Sequence, residues 1–565
     1  MKVKTIFPFL LISSIVLSGC DGKLFHQHYV NDDKKNISSF SVPFVNEAPD
    51  DYTILENKMT IYTVDDGSVP YVSIDGFLST LKGFFNLKNI KKSVNKFNNE
   101  YVLTMYDQYK ITFDWNQNTI SSASIYNFNS LQNGSSGNSL ARKFIKTTYD
   151  YDYGNKAFSV KLSDYYFDIY YYKGECLIPL FFANTLFCSE WYYNIFYNGD
   201  CCYGVSGEVY SLDKYYDCSQ NGKEVPDDMR KAAVNSMLFV FDYLYGLKED
   251  KEYKLFKDYI SKESMSLLWS NDSSENYKGY KQIIYGLLDE LHTRIDLPSY
   301  YCDPTTCIET SEDYGDFHKS YVNLRNQQRE LRTSTLGGLV PVRYSNNVAI
   351  ITFDSFLLGS ESQLYDSSGY LKSDAWQYDT YYYMRHCMQD IKNHSSVEKV
   401  LIDLSLNGGG VVVSLFKALG FLTDQKIPYS TYNPLANNYS ITSYLVDTDG
   451  DGQYSNDAYN EYEWNLLVSL NSFSAANIFT SVFKEINLGK IYGHKSGGGM
   501  CSVLPLVLAD GTAIAISSNN TARFVSERNN TLYFQAIEHG IEPDVEINYE
   551  DYYNDSKLVQ YLNSN

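Results

Sequence analysis

Clustered basic charge is missing from this chain. Asp and Glu number 68 against 47 Lys and Arg, for a net charge of −21. That balance excludes nucleic acid as a partner, because binding phosphates needs concentrated Lys and Arg. No segment beyond residue 17 has the uninterrupted apolar length of a membrane span. No CxxC pair or His/Cys cluster has the spacing of a zinc site, so the sequence offers no zinc chemistry. What is present is an apolar content of 44%, enough for well-packed cores, and 54 tyrosines, mostly in the N-terminal half. Interleaved with Asp and Asn, those tyrosines suit either ordinary strand packing or exposed β-structure that binds extended ligands.

The N-terminus reads as an export signal. Lys2 and Lys4 precede an apolar run from Ile6 to Leu17, too short to span a bilayer, and Leu17-Ser18-Gly19-Cys20 closes the segment. Small residues before a cysteine resemble the bacterial lipobox, in which the cysteine is acylated. Cys20 is therefore the expected lipidation site, with a plain signal peptide as the alternative. The expected location is extracytoplasmic, with the membrane reached through the lipid anchor only. The polar stretch 21–49 reads as a linker.

Nine further cysteines fit an exported, disulfide-permissive chain; Cys302 and Cys307 are close enough to bridge a loop, and the group from Cys176 to Cys218 offers more pairings. Residues 50–222 read as a β-rich region of one or two small modules, in which 101–105 and 109–113 flank a hairpin turn. VPYVSIDGFLSTL (69–81) and CLIPLFFANTLF (176–187) echo each other as strand, Pro and apolar helix. A helical region follows over 223–300, its second helix ending near His292, then a connection over 301–345. Residues 346–550 alternate strand, turn and helix, which implies a largely parallel sheet with active groups at strand C-terminal ends. A tail covers 551–565.

Two strand ends carry chemistry. Ser474 lies between an apolar strand and a helix beginning near Ala475, so its hydroxyl can sit beside the Ala475 N–H, an oxyanion donor. Asn407-Gly408-Gly409-Gly410 closes the preceding strand, and Gly409 or Gly410 can supply a second donor. Each feature alone has a plainer reading: a helix N-cap for the serine and a simple turn for the glycines.

Together, LIDLSLNGGG (401–410), LNSFSAANIF (470–479), IYGHKSGGG (491–499) and IEHGIEPDV (537–545) resemble the core of the tail-specific, C-terminal-processing serine proteases, including the tricorn-core branch. The resemblance implies a ClpP/crotonase-like β-α superhelix and selects Ser474 over Ser472 as nucleophile. In the better-known branch a lysine about 25 residues on serves as base. Here that place falls on Gly499, and Lys495 is the alternative base. The other branch takes a histidine from a motif like Leu-x-Asp-x-His-Thr, which LLDELHTRI (287–295) resembles. That implies His292 as base and Glu538, one residue short of the usual spacing, as the acid that orients it. His494 and His539 are rival bases.

The implied function is a serine endopeptidase acting on proteins or peptides by acyl-enzyme chemistry, with no cofactor required. Its rivals are a degenerate protease scaffold that binds at the surface and an adhesin using the Tyr-rich half. The gap before the core is too short for the PDZ domain that many relatives carry there. Separately, DTDGDGQYSND (447–457) places Asp447, Asp449, Asp451 and Asp457 as in a Ca²⁺ loop, so a structural Ca²⁺ and a solvated acidic loop both fit.

Overall fold

Continuous apolar runs build the central sheet. A computed structural model describes residues 35–132, 139–209 and 211–564. Within it, six strands lie in the order Val342–Ser345, Val348–Thr352, Lys399–Asp403, Glu463–Val468, Lys490–Gly493 and Val545–Glu546. The first pair is antiparallel and all the others are parallel. Val348, Ile350, Leu401 and Leu467 pack on one face with Leu558 and Leu562 of the C-terminal helix. Ala349, Ile351, Ile402 and Leu466 face the other way, into the main core with Leu415, Ala476 and Phe479. A sheet buried on both faces calls for continuous apolar strands, which is the pattern these segments carry.

The helices Thr380–Ile391, Val412–Gly420 and Ala475–Glu485 follow successive strands of this sheet, as right-handed crossovers require intervening chain. A second, seven-stranded sheet joins regions that are distant in sequence. Its long strand Ala513–Arg528 pairs with Arg294–Leu297, Ile427–Asn433, Cys501–Val507 and Thr531–Ala536. At its far edge Ile145–Tyr153, from the N-terminal half, pairs with Asn438–Val446.

The rest of the N-terminal half forms a seven-stranded and a five-stranded sheet. The expected hairpin is there, with Glu100–Met105 against Tyr109–Asp114. The internal echo is physical: Tyr71–Ser73 and Glu175–Pro179 each lead into an apolar helix, and the two strands pair with one another.

Two expectations need correction. Part of the stretch read as a linker is the strand Ile37–Asn46, held in mid-sheet by Lys58–Val64 and Cys202–Ser206. Its alternating Ser and apolar residues are short, and the polar flanks hid them. The connection 301–345 contains a 21-residue helix, Asp316–Leu336. Only Tyr321, Gln328 and Arg332 of it are buried, so it carries no apolar stripe to read. Cys302 and Cys307 form a disulfide, whereas Cys188, Cys201, Cys202 and Cys218 are free thiols. Cys20 and the export segment lie outside the described residues. Among the described residues no helix is long and apolar enough to cross a membrane.

Candidate active site

Ser474 follows the strand Glu463–Val468 and immediately precedes the helix Ala475–Glu485. Its backbone sits at φ 56°, ψ −118°, a region L-residues rarely occupy and that costs about 1–3 kcal/mol. Neighbouring bonds hold it there: Ser474 N–H donates to Gly498 O at 2.8 Å and Phe473 N–H to Asn407 O at 3.1 Å. The serine makes no side-chain cap to its helix. Its hydroxyl instead meets His292 Nε2 at 2.9 Å. The other serine of the turn, Ser472, is buried and donates to Leu404 O at 2.7 Å, a structural role.

His292 arrives from 182 residues upstream. The helical segment Gln282–Leu288 ends with Asp289 in the left-handed conformation, and the chain turns toward the strand Arg294–Leu297. The imidazole is buried, with the Phe473 ring 4.8 Å away. Burial pushes its pKa below the usual value, against the pull of the Glu290 charge. The ring is therefore a neutral proton acceptor at neutral pH.

Two glycines of the loop beside Ser474 differ in their backbone bonds. Gly409 N–H is committed to Asn407 Oδ1 at 2.9 Å, so it is not a donor, contrary to expectation. A methyl group at Gly409 would stand 3.1 Å from Ala475 N, so a glycine here keeps the space beside Ser474 and Ala475 open. Gly410 bridges Phe356 in parallel, with Gly409 O and Val411 N–H taking the bonds to Phe356. The Gly410 N–H takes no part in the bonds to Phe356.

Glu538 does not hold the imidazole. Its Oε2 accepts the Met500 N–H at 2.8 Å, while His292 Nδ1 is buried with no hydrogen-bond partner among the described residues. Burial, reinforced by the Glu290 charge, raises the Glu538 pKa to about 8. The alternative bases are elsewhere. Lys495 pairs with Glu542 at 2.9 Å, His494 stacks on Tyr549, and His539 bonds Asp250 at 2.7 Å.

Residues that sequence reading passed over complete the site. Glu290 accepts the His292 N–H at 2.6 Å; an acid two places before the base was the available signal. Tyr321, on the unforeseen helix Asp316–Leu336, roofs the glycine loop, its hydroxyl 3.2 Å from where a Gly408 methyl would stand. A cavity of about 1150 Å³ lined by residues such as Lys156, Tyr243 and Trp269 does not include Ser474 or His292.

Residues 367–547 match the family model "Peptidase family S41". Over that segment the chain is similar to the S41 peptidases. The matched part contains Ser474 and the glycine loop but not His292, which enters from outside it. The tricorn protease of Thermoplasma acidophilum is 26% identical over 167 residues, covering 28% of this chain and only 13% of that protein. Among solved structures, mature CPAF is 14% identical, covering 59% of this chain and 96% of that one at a TM-score of 0.37. A lipoprotein from Streptococcus agalactiae is 16% identical, covering 60% and 98% at a TM-score of 0.33.

The Asp cluster is also assembled. Carboxylate oxygens of Asp447, Asp449 and Asp451 lie within 4.8 Å of one another. Asp457 Oδ1 accepts the Thr448 N–H at 2.9 Å, while its Oδ2 is buried without a partner among the described residues.

Proposed function

We propose that this chain is an S41-type serine endopeptidase that cleaves proteins or peptides through an acyl-enzyme. The observation that carries the reading is the 2.9 Å approach of His292 Nε2 to Ser474 Oγ. His292 takes the serine proton as Oγ attacks the scissile carbonyl, and the Ala475 and Gly410 N–H groups receive the oxyanion. The protonated imidazole then gives its proton to the leaving amine, and water repeats the sequence to free the enzyme. A Ser-His-Glu arrangement with Glu538 would require its carboxylate, which accepts the Met500 N–H, to turn to the imidazole. No step calls for a cofactor. The parallel strands with crossover helices support a ClpP/crotonase-like superhelix as the core.

The deciding test is labelling of the signal-less protein by a fluorophosphonate probe, beside Ser474→Ala and His292→Ala. Labelling that both substitutions abolish is expected. No labelling of any form, at an accessible site, would shift the reading to a degenerate scaffold that binds rather than cleaves.

Three further assignments belong to the same reading. The protein is exported and lipid-anchored at Cys20; incorporation of an alkynyl fatty acid in cells, lost in Cys20→Ala, tests this. Asp447, Asp449 and Asp451, with Asp457 beside them, hold a structural Ca²⁺. Clustered carboxylates and a buried carboxylate oxygen without a proton donor fit such a hard cation. The N-terminal sheets select or admit substrate.

A further inference from the structure

Among the described residues His292 Nδ1 has no hydrogen-bond partner, so on the side away from Ser474 something other than a ring hydrogen bond must fix the base. We propose that Glu290 is the positioning residue of His292, holding the base-bearing loop against the sheet and placing a negative charge beside the imidazole. This rests on the reading of Ser474 and His292 as nucleophile and base.

The geometry is a clamp on the short stretch 290–293. Glu290 Oε2 accepts the backbone N–H of His292 at 2.6 Å. Its Oε1 accepts the hydroxyl of Thr293, and Thr293 Oγ1 in turn accepts the Ser517 N–H at 3.1 Å. One carboxylate thereby ties the base's own backbone to the long strand Ala513–Arg528, which also pairs with Arg294 and Ile295. Glu290, His292 and Thr293 are 7%, 6% and 1% exposed, so water does not compete for these bonds. The preceding residue, Asp289, caps the other neighbour, accepting the Phe317 and His318 N–H groups of the helix Asp316–Leu336 at 2.8 and 3.1 Å. The adjacent acids therefore fasten the loop on two sides.

Charge adds to position. As His292 takes the serine proton it becomes an imidazolium in a buried setting, which is costly without a nearby anion. The charged groups that act on it are Glu290, Arg294 and Glu208, the last two paired at 2.7 Å, with Arg294 also bonding Asp296 at 2.9 Å. Since Arg294 opposes the imidazolium and Glu208 is engaged with it, Glu290 is the anion that counts. Glu538 lies within the field of Glu290. The Tyr245 hydroxyl, buried and unpartnered among the described residues, lies in the field of both.

Fluorophosphonate labelling rates against pH for wild type, Glu290→Gln, Thr293→Val and Thr293→Ser test the assignment. Glu290→Gln is expected to lower the limiting rate roughly 10- to 100-fold, within the span of general-base effects. It should also move the half-point to lower pH, because removing the anion disfavours the imidazolium. Thr293→Val should lower the rate without that shift, and Thr293→Ser should restore it to within about 3-fold. Unchanged rate and half-point in a Glu290→Gln protein that melts like wild type would overturn the proposal. Should that variant not fold, equal rates for Thr293→Val and Thr293→Ser would do so. If wild type itself does not label, the peptidase reading has failed. The His292 titration, followed by NMR in protein with isotope-labelled histidine, then decides: a lower midpoint in Glu290→Gln supports the clamp, and none refutes it.

Discussion

Gly409 stands directly against Ser474: a methyl group on its α-carbon would come within 2.8 Å of the Ser474 Cβ and 3.1 Å of the Ala475 nitrogen. The backbone at Gly409, φ +108°, is also one that side chains rarely adopt. Gly409→Ala should therefore fill the oxyanion site and displace the nucleophile together. The expected loss in probe labelling is on the order of 10²–10³-fold, as for removal of an oxyanion donor. Near wild-type labelling in this variant would show that the hole is built elsewhere.

The strained serine gives a stability prediction of opposite sign to its activity. Ser474→Gly removes the nucleophile but also relieves a φ of 56° in a non-glycine residue. Thermal unfolding should show the variant as stable as wild type or more so, by up to about 1 kcal/mol. A clearly lower melting temperature would mean that the hydroxyl's bond to His292 outweighs the strain.

Activity against pH should follow the depressed His292. Burial lowers its pKa, so the proton-accepting form persists as the medium becomes mildly acidic, and the labelling half-point is expected below the ordinary value of about 6.5. The linkage runs the same way: below about pH 6.5 the unfolded chain takes up the proton before the folded one, so stability falls with falling pH. A half-point above 6.5 would contradict the burial.

Glu538 has the reverse sign. Its folded pKa is about 8, above the 4.5 of a free glutamate. The folded state therefore keeps its proton where the unfolded state has lost it. This contribution is fully present below about pH 4.5 and fades as pH rises toward 8. Glu538→Gln should flatten the decline in melting temperature between those values. An unaltered decline would place the buried proton on another group.

Calcium should raise the melting temperature, with the gain reversed by a chelator and removed in Asp449→Asn/Asp451→Asn. Both residues are exposed, so neither change disturbs the core. An unchanged melting curve at millimolar Ca²⁺ would leave the cluster as a solvated acidic loop.

The sequence by itself determined the strands of the central sheet, the turn that carries Ser474 and the segment that carries His292. Each is written locally: a run such as Val348–Thr352, buried throughout, needs apolar residues at every position, and a sharp turn beside a helix start needs small ones. Even the pairing of Tyr71–Ser73 with Glu175–Pro179 left a trace, since paired copies repeat their pattern. What the sequence does not contain is direction across 182 residues. That the imidazole meets Ser474, that Glu538 turns to Met500 instead, and that Gly409 spends its N–H on Asn407 were settled by how sheets pack. The helix Asp316–Leu336 escaped notice for a related reason: its buried side is polar, Arg332 bonding Asp354 at 2.8 and 2.6 Å, and polar contacts leave no hydrophobic period. Periodicity records which face is buried. Which donor meets which acceptor is fixed only when the distant elements close on one another.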